Sequence, residues 1–348
     1  MRAIKACFKV IAAGLVSIVI LCGLLFFYYF IPVHEENTKG NTDYVWLPNS
    51  IWVKTSEGIS FGKIDENGYN NKSVVENPDI LMLGSSHTEA MNVMQDENAA
   101  FLLSEKLKGT YSVYNMSICG HYFFKVCQYL PATLQLSGNV PKLVIIETSE
   151  VDVSQSGVEE VLLSSAEYTP SHNAGILGML QRVPFFRALY HQKEAGLVDL
   201  FLDASYQGSA AEAAAAAPVP EEPEAPAEID RAAYAELFSY LRNMEEAYGT
   251  QILIVYHPTE QLMPDGSVYF SGSGYCEAFS EYADEYGIAF VDMTDRLEKM
   301  YYEEHHVAHG FCTGLLASGH MNKYGHAAMA EELYKAIREL EEDGVLCQ

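Results

Sequence analysis

The chain is 348 residues long, with a hydrophobic fraction of 49% and a formal net charge of −26. That length supplies one large core or two small ones. So acidic a surface repels nucleic-acid phosphates, which argues against a nucleic-acid partner. Seven cysteines without a CxxC pair or regular spacing argue against a disulfide framework and a structural zinc site, and most read as small buried residues.

Residues 10–31 carry no charge and follow Arg2, Lys5 and Lys9. A run of that length spans a bilayer as one transmembrane helix, and the basic flank stays cytoplasmic, so the rest of the chain faces outward. The run ends in bulky Phe-Phe-Tyr-Tyr-Phe-Ile-Pro rather than small residues, which favours an uncleaved anchor over a signal peptide. The expected location is the cell membrane, single-pass, with the main domain extracytoplasmic. Residues 33–78 are polar and read as a connector that packs on the domain, with Trp46 and Trp52 as isolated anchors.

From residue 79 on, short apolar runs alternate with segments of helical spacing. Strands are expected at 80–83, 111–116, 143–147, 252–256 and 288–291. Helices are expected at 89–108, 122–136, 231–248 and 277–286, with a C-terminal amphipathic helix over 322–340 capped by Asn322. This order implies an α/β fold, a parallel sheet with helices on both faces and its sites beyond the C-terminal strand ends. Ser86, Gly120, Thr148 and His257 all fall there. Residues 151–230 read as an insertion within the 79–348 domain, and 209–229, rich in Ala, Pro and Glu, as a loose low-complexity loop.

The stretch DILMLGSSHTEA at 79–90 places a hydroxyl after a buried strand, where a helix start favours developing negative charge, and Thr88 reads as the cap of a helix from about Glu89. GSSH at 84–87, YNMSICG at 114–120 and GHMNKYGH at 319–326 together resemble the three blocks of the SGNH (GDSL-like) hydrolase superfamily. The resemblance covers roughly residues 79–340. It implies a flavodoxin-like three-layer α/β/α fold and a serine ester hydrolase or acyltransferase. Ser86 matches the nucleophile and His320 the base, with the Ser86 and Gly120 backbone N–H groups as oxyanion donors. His87, Thr148, Ser149, His257 and Asn322 are then expected around the substrate pocket, and no cofactor is called for.

Two departures stand out. Ala317 occupies the place of the acid three residues before the histidine, so the imidazole needs another partner: a backbone carbonyl near Ala317, or Asp295, Glu303 or Glu304. The third block's asparagine is also missing, and Glu147-Thr148-Ser149-Glu150 follows that strand. Similar losses occur in the envelope-associated, membrane-anchored branch that assists acyl transfer to surface polymers. The leading expectation is therefore an outward-facing enzyme acting on acyl, above all acetyl, esters of envelope polysaccharide. The alternative is a catalytically degenerate module that binds glycan or a membrane O-acyltransferase partner. Glu303, Glu304, His305, His306 and His309 suggest a metal site, since His305 and His309 would share a helical face. Without the glutamate of HExxH they read as a solvated helix end, and no metal ligand is assigned.

Overall fold

The computed structural model describes residues 2–28, 30–37, 39, 41–55, 57–136, 140–162, 229–311 and 316–346. Helix α1 (Arg2–Tyr28) contains a stretch, Ile4–Leu24, of mean hydropathy 2.4, long and apolar enough to cross a bilayer. Two antiparallel pairs follow, β1 (His34–Glu36) with β2 (Tyr44–Trp46) and β3 (Ile51–Lys54) with β4 (Ser60–Lys63). Trp46, Trp52 and Ile64 are buried in the main core.

The central sheet is built from β5 (Ile80–Leu83), β6 (Val113–Asn115), β7 (Leu143–Thr148), β8 (Gln251–Tyr256) and, after the hairpin β9 (Glu260–Leu262) and β10 (Val268–Phe270), β11 (Ala289–Asp292). All neighbours are parallel, in the order β11-β8-β7-β5-β6. Numbered within the sheet this is 2-1-3-4-5, the flavodoxin-like order, whose switch point lies beside the first strand. The strands are largely apolar because both faces are covered. Leu81, Val144, Ile146, Ile252 and Ile254 face one core with α4 (Phe123–Leu136), α5 (Gln155–Leu162), α6 (Arg231–Tyr248) and α7 (Ser273–Tyr286). Ile80, Met82, Leu143, Ile145, Leu253 and Val255 face a second core with α3 (Ala99–Lys106), α8 (Thr294–Tyr302) and α9 (Lys323–Glu342). The result is a three-layer α/β/α fold.

The helix expected over 89–108 is broken in two. A one-turn helix α2 (Ser86–Glu89) stops at Ala90, whose φ of 60° is left-handed, and α3 restarts only after Asn98, whose side chain caps Phe101 N–H. The low-complexity loop and most of the insertion lie outside the described residues. Two further strands, β12 (His309–Gly310) and β13 (Leu316–Met321), form a short ribbon ahead of α9.

Ile145, fully buried in the middle of the sheet, provides the test of this packing. Ile145→Ala is expected to cost about 2–5 kcal/mol in chemical denaturation, the range for large-to-small changes in a close-packed core. A loss below about 1 kcal/mol would contradict a sheet covered on both faces.

Candidate active site

The turn after β5 begins at Gly84. A Cβ there would lie 2.4 Å from both Glu147 Oε2 and Thr88 Oγ1, so only glycine admits the approach of the Glu147 carboxylate. Glu147, at the end of β7, accepts the Ser85 backbone N–H at 2.8 Å, the Ser85 hydroxyl at 3.0 Å and the Thr88 hydroxyl at 3.0 Å. Ser85, not Thr88, is the cap: its Oγ accepts the His87 N–H at 3.3 Å. With the turn pinned from behind, Ser86 projects half-exposed at the edge of the sheet.

His320, near the end of β13, meets it from the other side, with Nε2 3.0 Å from Ser86 Oγ. Its Nδ1 lies 2.7 Å from Glu57 Oε2. None of the partners expected from the sequence holds this imidazole. Glu304 pairs with Arg296, and Ala317 is a buried residue with φ 57°. Glu57 comes instead from the turn between β3 and β4, well outside the three blocks. Gly319, with φ 82°, allows the contact, since its Cβ would stand 3.2 Å from Glu57 Oε1. Burial works against ionisation of Glu57, but the His320 imidazole and the Lys54 ammonium, 3.5 Å away, outweigh it and hold the carboxyl below its usual range. Lys54 also bonds Asn92 Oδ1.

The loop after β6 runs along the same turn: Met116 N–H donates to Met82 O and Ile118 N–H to Gly84 O. Gly120 follows in an exposed left-handed turn (φ 81°). Cys119 beside it is exposed rather than buried, and its carbonyl accepts the Tyr44 hydroxyl at 2.6 Å. Glu89 ties this loop to the N-terminal segment. Its carboxyl receives Trp46 Nε1–H at 2.6 Å and a Cys119 backbone bond. Complete burial pushes the Glu89 pKa up to about 7.

Several residues expected around the pocket have other work. His257 is fully buried behind the turn, with Nε2 2.7 Å from Glu147 Oε1 and Nδ1 3.3 Å from His309 Nε2. It cannot touch a substrate. Burial favours a neutral Glu147, yet the His257 bond and the charges around it hold its pKa near 2. Thr148 is buried and closes a local turn with Glu150, donating to its carbonyl at 2.7 Å. Asn322 caps α9 by accepting from Tyr324 and Gly325 N–H, and its amide donates to Val307 and Gly310 carbonyls. A recess of about 940 Å³ opens beside the Glu57 end, lined by Gly58, Ile59, Tyr302, Phe311, Asn322 and Tyr324. Ser86 and His320 do not line it.

The histidines group differently from the sequence expectation. His305 follows the end of α8 with φ 60°, and His309 is buried on β12, so the two share no helical face. Among the described residues, His87, His257 and His309 bring ligand-type nitrogens within 4.8 Å of one another. Glu147 fixes the proton on His257 Nε2, and Glu260, 3.2 Å from His309 Nδ1, fixes the proton there. That leaves two lone pairs facing each other. The third ring does not add one, because His87 Nδ1 accepts the Met321 N–H at 3.2 Å and its own proton therefore sits on Nε2. The 3.3 Å approach of His257 Nδ1 to His309 Nε2 is a hydrogen bond only with one added proton between those two nitrogens, which would bridge the two buried carboxylates. The His87 ring lies 5.5 Å from the His320 ring, tilted by 44°, which places it against that imidazole.

No family model and no curated protein matches the chain. Among solved structures it is similar to an acetyl xylan esterase, AlAXEase (11% identity, 74% of this chain and 98% of that chain, TM-score 0.40). It is also similar to a G-D-S-L family protein from Desulfitobacterium hafniense (12%, 74% and 98%, TM-score 0.37). A third is LAE5, an alpha/beta hydrolase enzyme from a lake metagenome (12%, 76% and 96%, TM-score 0.38). The strand order 2-1-3-4-5 itself gives a flavodoxin-like α/β/α fold.

The Glu89 carboxyl yields a pH test. Its pKa is raised in the folded chain, so its contribution to stability is full below about pH 4.5 and is lost as the pH rises through about 7. Glu89→Gln removes this group. The stability difference between variant and wild type is therefore expected to shift in the variant's favour from pH 5 to pH 8 in paired denaturation curves. A pH-independent difference would contradict a buried, titrating Glu89.

Proposed function

We propose that the chain is a membrane-anchored, outward-facing serine esterase or O-acyltransferase acting on acyl esters, acetyl above all, of envelope polysaccharide. The observation that carries the reading is the relay Ser86–His320–Glu57, with contacts of 3.0 and 2.7 Å. His320 Nε2 takes the Ser86 proton as Oγ attacks the ester carbonyl, and the bond from Nδ1 to Glu57 holds the required tautomer and supports the imidazolium. The Ser86 and Gly120 N–H groups receive the oxyanion, a contribution of about 3–4 kcal/mol per donor. Collapse expels the alcohol, which takes the proton from His320 and leaves an acyl-Ser86. Water or a second hydroxyl then attacks with His320 again as base. Esterase and transferase differ only in that acceptor.

The degenerate-module alternative rested on two absences. With Glu57 in contact with His320, the missing acid at Ala317 no longer supports it, and only the missing asparagine remains. A membrane O-acyltransferase partner stays compatible with the reading as a source or acceptor of acyl groups.

A serine-reactive fluorophosphonate probe tests the mechanism on the full chain in detergent. Wild type is expected to label and Ser86→Ala to be silent. Glu57→Gln and His320→Ala are expected to label slower by about 10²–10⁴-fold, the scale of losing the acid or base of such a relay. An unlabelled wild type, or Glu57→Gln labelling at the wild-type rate, would overturn it.

A further inference from the structure

The hairpin that carries Glu57 is fastened directly to the end of the membrane-length helix. Phe30, two residues past α1, pairs antiparallel with Val53: Phe30 N–H donates to Val53 O at 2.7 Å and Val53 N–H to Phe30 O at 2.8 Å. Ile31 and Val33 are already buried, and Val33 O accepts the Leu47 N–H. The helix therefore has no slack linker before the domain. From Val53 to Glu57 is four residues, so the acid lies at most about 14 Å of chain from the residue that pairs with Phe30.

One face of this hairpin is apolar in the wrong direction for a soluble protein. The register pairs Ile51 with Lys63 and Val53 with Phe61, which sets these four on one face, while Trp52 and Ser60 on the other are fully buried. The outward side chains include Ile51 at 49% exposure, Phe61 at 56% and Ile59, next in the alternation, at 79%. Outward positions of such a ribbon are ordinarily polar. Single exposed apolar residues mean little, but three side by side at the exit of a membrane-length helix mark a lipid contact. Lys63 stands exposed at the same face, placed to extend its ammonium to anionic headgroups.

We propose that the outward face of β3–β4 rests in the outer leaflet beside α1 and holds the Ser86–His320–Glu57 relay at the bilayer surface. The occupant of this face is the lipid bilayer, and the ester acted upon is one carried at the membrane, on a lipid or a lipid-linked glycan. Ile59 links the two features, since it belongs to this face and also lines the recess beside Glu57. The substrate class rests on the esterase reading, whereas the lipid contact does not.

The test uses the full chain reconstituted in phosphatidylglycerol–phosphatidylethanolamine vesicles whose acyl chains are brominated. A Phe61→Trp variant is expected to be strongly quenched, whereas wild type, whose Trp46 and Trp52 are buried, is little affected. In parallel, wild type and an Ile51→Ser/Phe61→Ser double variant are assayed on a water-soluble acetyl ester and on an acyl ester embedded in the vesicles. The double variant is expected to match wild type on the soluble ester and to lose about tenfold or more on the embedded one. Absence of quenching in Phe61→Trp overturns the lipid contact. Quenching with equal losses on both esters overturns the membrane-borne substrate. If neither ester is turned over by wild type while Phe61→Trp is quenched, the esterase reading fails and the lipid contact stands.

Discussion

The contact on which the site depends is the 2.7 Å bond between His320 Nδ1 and Glu57. It joins residues 263 positions apart, one on a hairpin near the N-terminus and one just ahead of the last helix. An imidazole facing a serine is a competent base only if its other nitrogen keeps the proton, and a carboxylate at that nitrogen ensures it. The N-terminal hairpin thus supplies the carboxylate that meets His320. Its attachments follow the same logic: Trp52 and Ile64 bury it in the main core, Trp46 bonds Glu89, and Ser60 Oγ donates to Met91 O.

Behind the serine the chain places a second set of buried polar groups that never reach a substrate. Glu147 gathers the Ser85 N–H, two hydroxyls and His257, and His257 continues through His309 to Glu260. A buried carboxylate is costly unless its lone pairs are filled, and here donors converge on it from the turn after β5 and from the residue after β8. The same network explains why glycine stands at position 84. The turn is shaped by a fixed charge beneath it and leaves Ser86 as the side chain that faces out.

The sheet was legible in the sequence because doubly covered strands must be continuous apolar runs, and all five are found where such runs occur. The position of the sheet's switch point, and with it the C-terminal edge where Ser86 lies, follows from the strand order. Position 57 was not legible. Nothing in a polar segment separates one glutamate from its neighbours, and the bond to His320 exists only once Trp46 and Trp52 have docked the hairpin. The expectation of a helix over 89–108 failed on local chemistry, since Ala90 takes a left-handed conformation and Asn98 caps a later start. His257 falls after a strand as a site residue would, but its ring turns inward toward Glu147, a buried carboxylate that needs a donor. His305 and His309 looked like helical neighbours from their spacing alone, but α8 ends at Tyr302.

The claim that Glu57 orients His320 is tested most directly by proton NMR of ¹⁵N-histidine-labelled protein, which reports the Nδ1–H itself. A strong bond to a carboxylate moves that proton far downfield. The account predicts such a resonance in wild type and in Ser86→Ala, its loss in His320→Ala, and its loss or a marked upfield shift in Glu57→Gln. A downfield signal from His320 that is unchanged by Glu57→Gln would show that another group holds the imidazole, and would contradict the account.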